Sequence, residues 1–240
     1  MALKHHRNPR TFAVSLCTAG AFVALSLPGL AQASGVMPSP VPEAAEWTQA
    51  RKAPENAPNV IIIMTDDVGF GAVSTFGGPV PTPTLDRLAN EGLRFNRFNT
   101  TAVCSPTRAA LLTGRNHNAV GMGVVPEMAS NNPGYNSIIP ASQPNIARVL
   151  RAHGYATAMI GKWHLTPMWE LGPSGPFDRW PTGLGFDYFY GFLIGETDQF
   201  APALYQNTLP VPAPREFGYI LDRDLADHAI EWLRAQRNSP

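Results

Sequence analysis

Disulfide chemistry has almost nothing to work with in this chain: the 240 residues contain two cysteines, Cys17 and Cys104. Cys17 lies in a leader-like segment expected to be removed. Cys104 then stands alone, and a lone thiol excludes a disulfide within the mature chain. Charge is scarce and balanced, with 18 basic and 18 acidic residues making up 15% of the sequence. Removing residues 1–33 takes away Lys4, Arg7 and Arg10 and no acidic residue, so the net charge moves from zero to −3. That balance gives no electrostatic case for nucleic acid or a membrane surface as a partner. Internal repeats and low-complexity tracts are missing too, which sets aside solenoid and linker-like architectures.

The N-terminus does carry a pattern. Lys4, Arg7 and Arg10 form a basic start, Thr11 to Leu30 is apolar and interrupted by small residues, and Ala31-Gln32-Ala33 supplies a small-x-small cleavage signal. Residues 1–33 are therefore expected to be a signal peptide, with export to the periplasm or beyond. A membrane anchor fits less well, because Ser, Gly and Pro interrupt the stretch and no stop-transfer charges follow. A lipoprotein reading of Cys17 meets bulky Leu16 where a small residue belongs. Residues 34–57 read as an extended lead-in rich in Pro and Ala. About 207 residues remain after the leader, enough for one domain with a real core. The 24 prolines predict long irregular loops between regular elements.

The continuous β-branched run Asn59–Met64 predicts a strand buried on both faces, as in a parallel sheet. Helices are expected over Thr84–Glu91, Ser105–Thr113, Ser142–His153 and Asp222–Ala235. Ser105 and Ser142 are read as N-caps, Pro106 as the first helical residue, and Gly92, Gly114 and Gly154 as stops. A short strand is expected over Leu93–Phe98 and a second buried one over Tyr155–Ile160. This alternation predicts an α/β fold with a mostly parallel sheet flanked by helices. In such sheets ligands gather at the carboxyl ends of the strands.

Both buried-type strands end in polar clusters. The first runs into Asp66-Asp67, whose carboxylates repel one another. A divalent cation would relieve that repulsion, and a simple Asp-Gly turn is the competing explanation. The second runs into Gly161-Lys162-Trp163-His164. A cation beside an imidazole suits an anionic substrate; the plain alternative is a surface lysine next to a hydrogen-bonded histidine. Cys104 immediately precedes a predicted helix start, where free N–H groups and the helix dipole favour anions, and Arg108 follows within the first turn. A cysteine-phosphatase loop would need five residues between Cys and Arg, but position 110 is Ala. The aromatic run Phe186, Tyr188, Phe189, Tyr190, Phe192 fits core packing better than a pocket lining.

Cys104-Ser105-Pro106-Thr107-Arg108, continuing to Gly114-Arg115, resembles the sulfatase signature. The Asp66-Asp67 pair and Gly161-Lys162-Trp163-His164 match the same family in the same order. Gly114-Arg115-Asn116-His117 and Gly183-Leu184-Gly185-Phe186-Asp187 resemble its arylsulfatase branch. The likeness runs over roughly residues 58–235. It implies an alkaline-phosphatase/sulfatase-like α/β fold and hydrolysis of small-molecule sulfate esters. It further implies that a maturation enzyme oxidises Cys104 to formylglycine (3-oxoalanine). The hydrated aldehyde would attack sulfur, and the sulfated intermediate would collapse back to the aldehyde, releasing sulfate. Asp66, Asp67 and residue 104 would hold Ca²⁺, or Mg²⁺ in some members. Arg108 would stabilise the diol, Lys162 would hold sulfate oxygens, and His164 would orient or deprotonate the diol.

The resemblance also implies parts that are missing here. Family members carry a further His, an Asp-Asn pair completing the metal site and a second Lys in a second half. None is found before Pro240, so residues 58–240 read as the N-terminal part of the catalytic domain, with little activity expected of the 240 residues by themselves. His228 sits inside the last predicted helix and is read as a surface or packing histidine. Two other outcomes stay open: a phosphonate monoester or phosphodiester hydrolase of the same superfamily, and a non-catalytic fragment.

Overall fold

The computed structural model describes residues 52–212, 214 and 216–237. The leader and most of the lead-in lie outside the described residues. Among the described residues four α-helices are present: α1 (Pro83–Glu91), α2 (Cys104–Thr113), α3 (Ile146–Ala152) and α4 (Leu221–Gln236). Four strands, β1 (Ala158–Lys162), β2 (Tyr188–Phe192), β3 (Leu204–Gln206) and β4 (Leu209–Val211), form one sheet in the order β1-β2-β3-β4. The β1–β2 pair is parallel, with Lys162 opposite Phe192, and the other two pairs are antiparallel.

Side-chain alternation divides the core between the two faces of this sheet. Phe189 joins a cluster with Ala109 of α2, Ala147 of α3, Trp163, Leu165, Trp180 and Leu193, and Met159 packs against it. Tyr190 and Phe192 join Leu204 and Leu221 on the other side, with Ile160 and Leu225 alongside. The aromatic run is therefore core, as expected; Phe189 is 0% exposed. His228 is half-buried on α4 with its ring 3.5 Å from that of Tyr190, which makes it a packing residue. Gly161 and Gly191 face each other across the parallel pair, and a Cβ on Gly191 would come within 2.0 Å of the Gly161 carbonyl oxygen. That close approach keeps β1 tight against β2 just before Lys162.

The α/β class, α1, α4 and the Gly114 stop of α2 stand as expected, and Gly114 takes a left-handed φ of 65°; the mostly parallel sheet does not, because among the described residues the short strands β3 and β4 add antiparallel pairs to a single parallel one. Other expectations need correction. Asn59–Met64 forms no strand and is exposed, Ile63 by 73%. An apolar run becomes a buried strand only when a neighbour completes its ladder, and among the described residues none pairs with it. Leu93–Phe98 is likewise exposed and irregular. The second strand starts later than expected and includes Lys162. It is half-buried over Ala158–Ile160, because β1 is an edge of the sheet.

Helix α2 starts at Cys104 rather than Ser105, and Val103 is the cap residue. The Thr107 hydroxyl accounts for the shift, since it bonds to the Val103 carbonyl at 3.0 Å and pulls that residue into the cap. Pro106 is still tolerated, because the N–H groups of the first turn are free in any case. Helix α3 starts at Ile146, not near Ser142. Pro144 disfavours helical geometry in the residue before it, and the Asn145 side chain accepts the Arg148 N–H at 3.1 Å.

Candidate active site

Helix α2 presents one face, Ser105, Pro106, Arg108 and Ala109, to the core. That anchoring leaves Cys104 half-buried in the first turn. The β1 chain continues beyond Lys162 still bonded to its neighbour, with the Trp163 N–H donating to the Phe192 carbonyl and the His164 N–H to that of Leu193. His164 is thereby delivered to the first turn of α2, where its Nδ1 lies 3.1 Å from Cys104 Sγ. Its φ of 56° is left-handed, an uncommon state for a non-glycine residue that concentrates at functional sites.

Arg108 joins the two elements. The residue is 5% exposed, and its guanidinium donates to the Lys162 carbonyl and lies 3.3 Å from Asp66 Oδ1. Lys162 Nζ bonds the other Asp66 oxygen at 2.7 Å. Burial opposes the charge on Asp66, but hydrogen bonds and charge from Lys162, then Arg108, outweigh it and hold the carboxyl below its usual range. The structure thus brings Cys104 to His164 and Arg108 and Lys162 to Asp66. Asp67 is exposed, takes a left-handed φ of 55° and has no part in this network.

One contact escaped the sequence. Glu127, in the turn Pro126–Met128, accepts from His164 Nε2 with both carboxylate oxygens, at 3.0 and 2.9 Å. No motif surrounds it, and only the fold places it beside the imidazole. Burial is the largest influence on His164 and lowers its pKa below the ordinary histidine value. Glu127 pulls it up, and Lys162 and Arg108 push it down again. Glu127 itself is held below the usual carboxylate range, because its bonds to His164 and to backbone outweigh its burial. A pKa below the ordinary histidine value favours the neutral ring at pH 7, with Nε2 facing the Glu127 carboxylate and Nδ1 facing Cys104.

Asp66 and Asp67 are donors of the kind a hard divalent cation takes. Asp66 is already engaged by two cations, however, and among the described residues no group of three or more His, Cys, Asp or Glu is arranged to hold an ion. The described residues supply part of a metal site and do not complete one.

A family model for sulfatases matches residues 58–240. The chain belongs to the sulfatase family. Among related sulfatases, arylsulfatase from Klebsiella aerogenes is 33% identical over 162 residues, 67% of this chain and 33% of that one. Human arylsulfatase A is 43% identical over 136 residues, 56% of this chain and 25% of that one. The chain thus spans a third or less of the length of these curated relatives. The solved structure of yidJ from Bacteroides fragilis, assigned as a sulfatase, is 27% identical with a TM-score of 0.60 over 80% of this chain and 44% of that one. The sulfatase fold is therefore the one this segment adopts.

The site is expected to make this sulfatase segment less stable in acid. A histidine with a folded pKa below its unfolded value contributes stability that is full above about 6.5 and is lost as pH falls toward the folded pKa. Asp66 and Glu127 have the same sign at lower pH, their contributions present above the unfolded values of 3.8 and 4.5. The urea midpoint is expected to fall from pH 7 to pH 5, and His164→Asn is expected to flatten that limb. A midpoint that rises on acidification would contradict the burial of His164.

Proposed function

We propose that this chain carries the nucleophile-bearing part of an arylsulfatase-type sulfuric ester hydrolase, with formylglycine made from Cys104 by a maturation enzyme. One observation carries the reading. The cysteine of a Cys-x-Pro-x-Arg segment in a sulfatase-family chain lies 3.1 Å from a histidine ring nitrogen, one helical turn from a buried arginine.

Sγ of the unmodified cysteine stands where an oxygen of the hydrated aldehyde would lie. That hydrate supplies the attacking oxygen. His164 Nδ1 is placed to accept its proton, and Nε2–H remains on Glu127 throughout. Arg108 lies on the same face of α2 as residue 104, and its buried Nε–H has no acceptor among the described residues. It can hold negative charge developing at residue 104. Lys162 brings an ammonium for the sulfate oxygens. Ca²⁺, or Mg²⁺, is the metal this reading assigns to Asp66 and Asp67, with further ligands needed from elsewhere. Such a cation would lower the charge of the bound ester. The leader-like residues 1–33 support export to the periplasm or beyond.

The test is mass spectrometry of the peptide containing residue 104, from cells with and without formylglycine-forming activity. An aldehyde is expected only in the first. A free thiol in both would remove the basis of the proposal. Turnover of aryl sulfate against aryl phosphonate, with the remaining length of the family domain supplied in the same chain, then assigns the ester, and sulfate is expected to be preferred.

A further inference from the structure

His164 is clamped on two sides, and only one clamp can direct its protons. Gly195 closes the first side. A Cβ at that position would lie 2.9 Å from His164 Cε1, 3.0 Å from Nε2 and 3.5 Å from Glu127 Oε1, so bare backbone is packed against the ring edge. Glu127 closes the second side with both oxygens on Nε2. The His164 side chain is 5% exposed and that of Glu127 38%, so this pair reaches from solvent into the site. A carboxylate can only accept. The nitrogen facing it must therefore carry hydrogen, and a neutral ring then has its lone pair on the opposite nitrogen.

We infer that Glu127 is the positioning residue of this site, fixing His164 with the proton on Nε2 and the Nδ1 lone pair on residue 104. The inference rests on the proposed function only in taking residue 104 as the reacting position. A tie between the 126–128 turn and the end of β1 would need a single contact to any donor. Two carboxylate oxygens on one buried ring nitrogen, with Cys104 Sγ on the other, serve orientation as well. Loss of Glu127 frees the ring to rotate or to move its proton to Nδ1, which turns the acceptor facing residue 104 into a donor.

The experiment uses the chain with unmodified Cys104, made in cells lacking formylglycine-forming activity, so its outcome is independent of whether the aldehyde forms. In ¹⁵N-histidine-labelled protein, His164 Nε2–H is expected as a far-downfield, slowly exchanging proton signal. It should move upfield in Glu127→Gln and vanish in Glu127→Ala. Alkylation by iodoacetamide, followed at the peptide carrying residue 104, should slow about tenfold in Glu127→Ala. In a His164→Ala background the same change should have no further effect, because Glu127 then has nothing to orient. A merely structural role would slow both backgrounds alike. A proton on Nδ1 in the wild type, unchanged alkylation in Glu127→Ala, or an equal loss with and without His164 overturns the assignment.

Discussion

Replacing Cys104 by alanine is expected to lower aryl sulfate hydrolysis roughly ten-thousand-fold or more, measured with the remaining length of the family domain supplied in the same chain. Under the proposed formylglycine mechanism, alanine cannot become an aldehyde, so the attacking oxygen would be lost while its surroundings stay in place. The change should leave the fold nearly untouched. Cys104 is half-buried in the first turn of α2, and its polar side-chain contact among the described residues is to His164 Nδ1. The helix is anchored instead by buried Pro106, Arg108 and Ala109 and stopped by Gly114. Stability should shift by less than about 1 kcal/mol in urea unfolding. Full activity in Cys104→Ala would sink the nucleophile assignment. A matching collapse in stability would show that Cys104 is needed for packing, and the activity loss could then not be read as chemistry.

The contrast between legible and illegible parts of this site follows the range of the forces involved. The Cys104–Arg108 spacing is set by one helical turn, so the sequence discloses it directly. Lys162 and His164 were legible for a similar reason, since Lys162 ends and His164 follows a strand whose apolar pattern is local. Their convergence on α2 was not written in either segment. It depends on β1 pairing with β2 through Trp163 and His164 and on the core formed by Trp163, Phe189 and Ala109. Glu127 was invisible because an exposed glutamate in a proline-led turn looks like any other until the fold brings an imidazole to it.

The misread elements fail for a related reason. Asn59–Met64 has every local mark of a buried strand, yet burial is a property of neighbours, and the described residues provide none in register. Ser142 has the side chain of a cap, but Asn145 lies beyond Pro144 and has the same chemistry with a clear helical path ahead. Local propensity nominated the serine, and the proline passed the cap to the asparagine. The chain spans a third or less of its curated relatives, so strand ladders and metal ligands that depend on distant residues are the features least readable from it.

Arg108 joins a structural role to the proposed chemistry, and Arg108→Ala is expected to cost about 3 kcal/mol of stability. Two terms add. The side chain is 5% exposed, so its removal leaves a void under the first turn of α2. The Lys162 carbonyl and one Asp66 oxygen each lose a donor. Asp66 keeps Lys162 at 2.7 Å and its side chain is 38% exposed, so the carboxylate is not stranded and the penalty stays below that of an isolated buried charge. Arg108→Lys should recover less than half of the loss, because one ammonium cannot span both acceptors as the guanidinium fork does. Urea unfolding of the three proteins measures both steps. A loss under about 1 kcal/mol for Arg108→Ala would mean that the void closes freely. The burial of this arginine, with its Nε–H left over, would then have to be explained by what residue 104 does in turnover rather than by what holds α2 to β1.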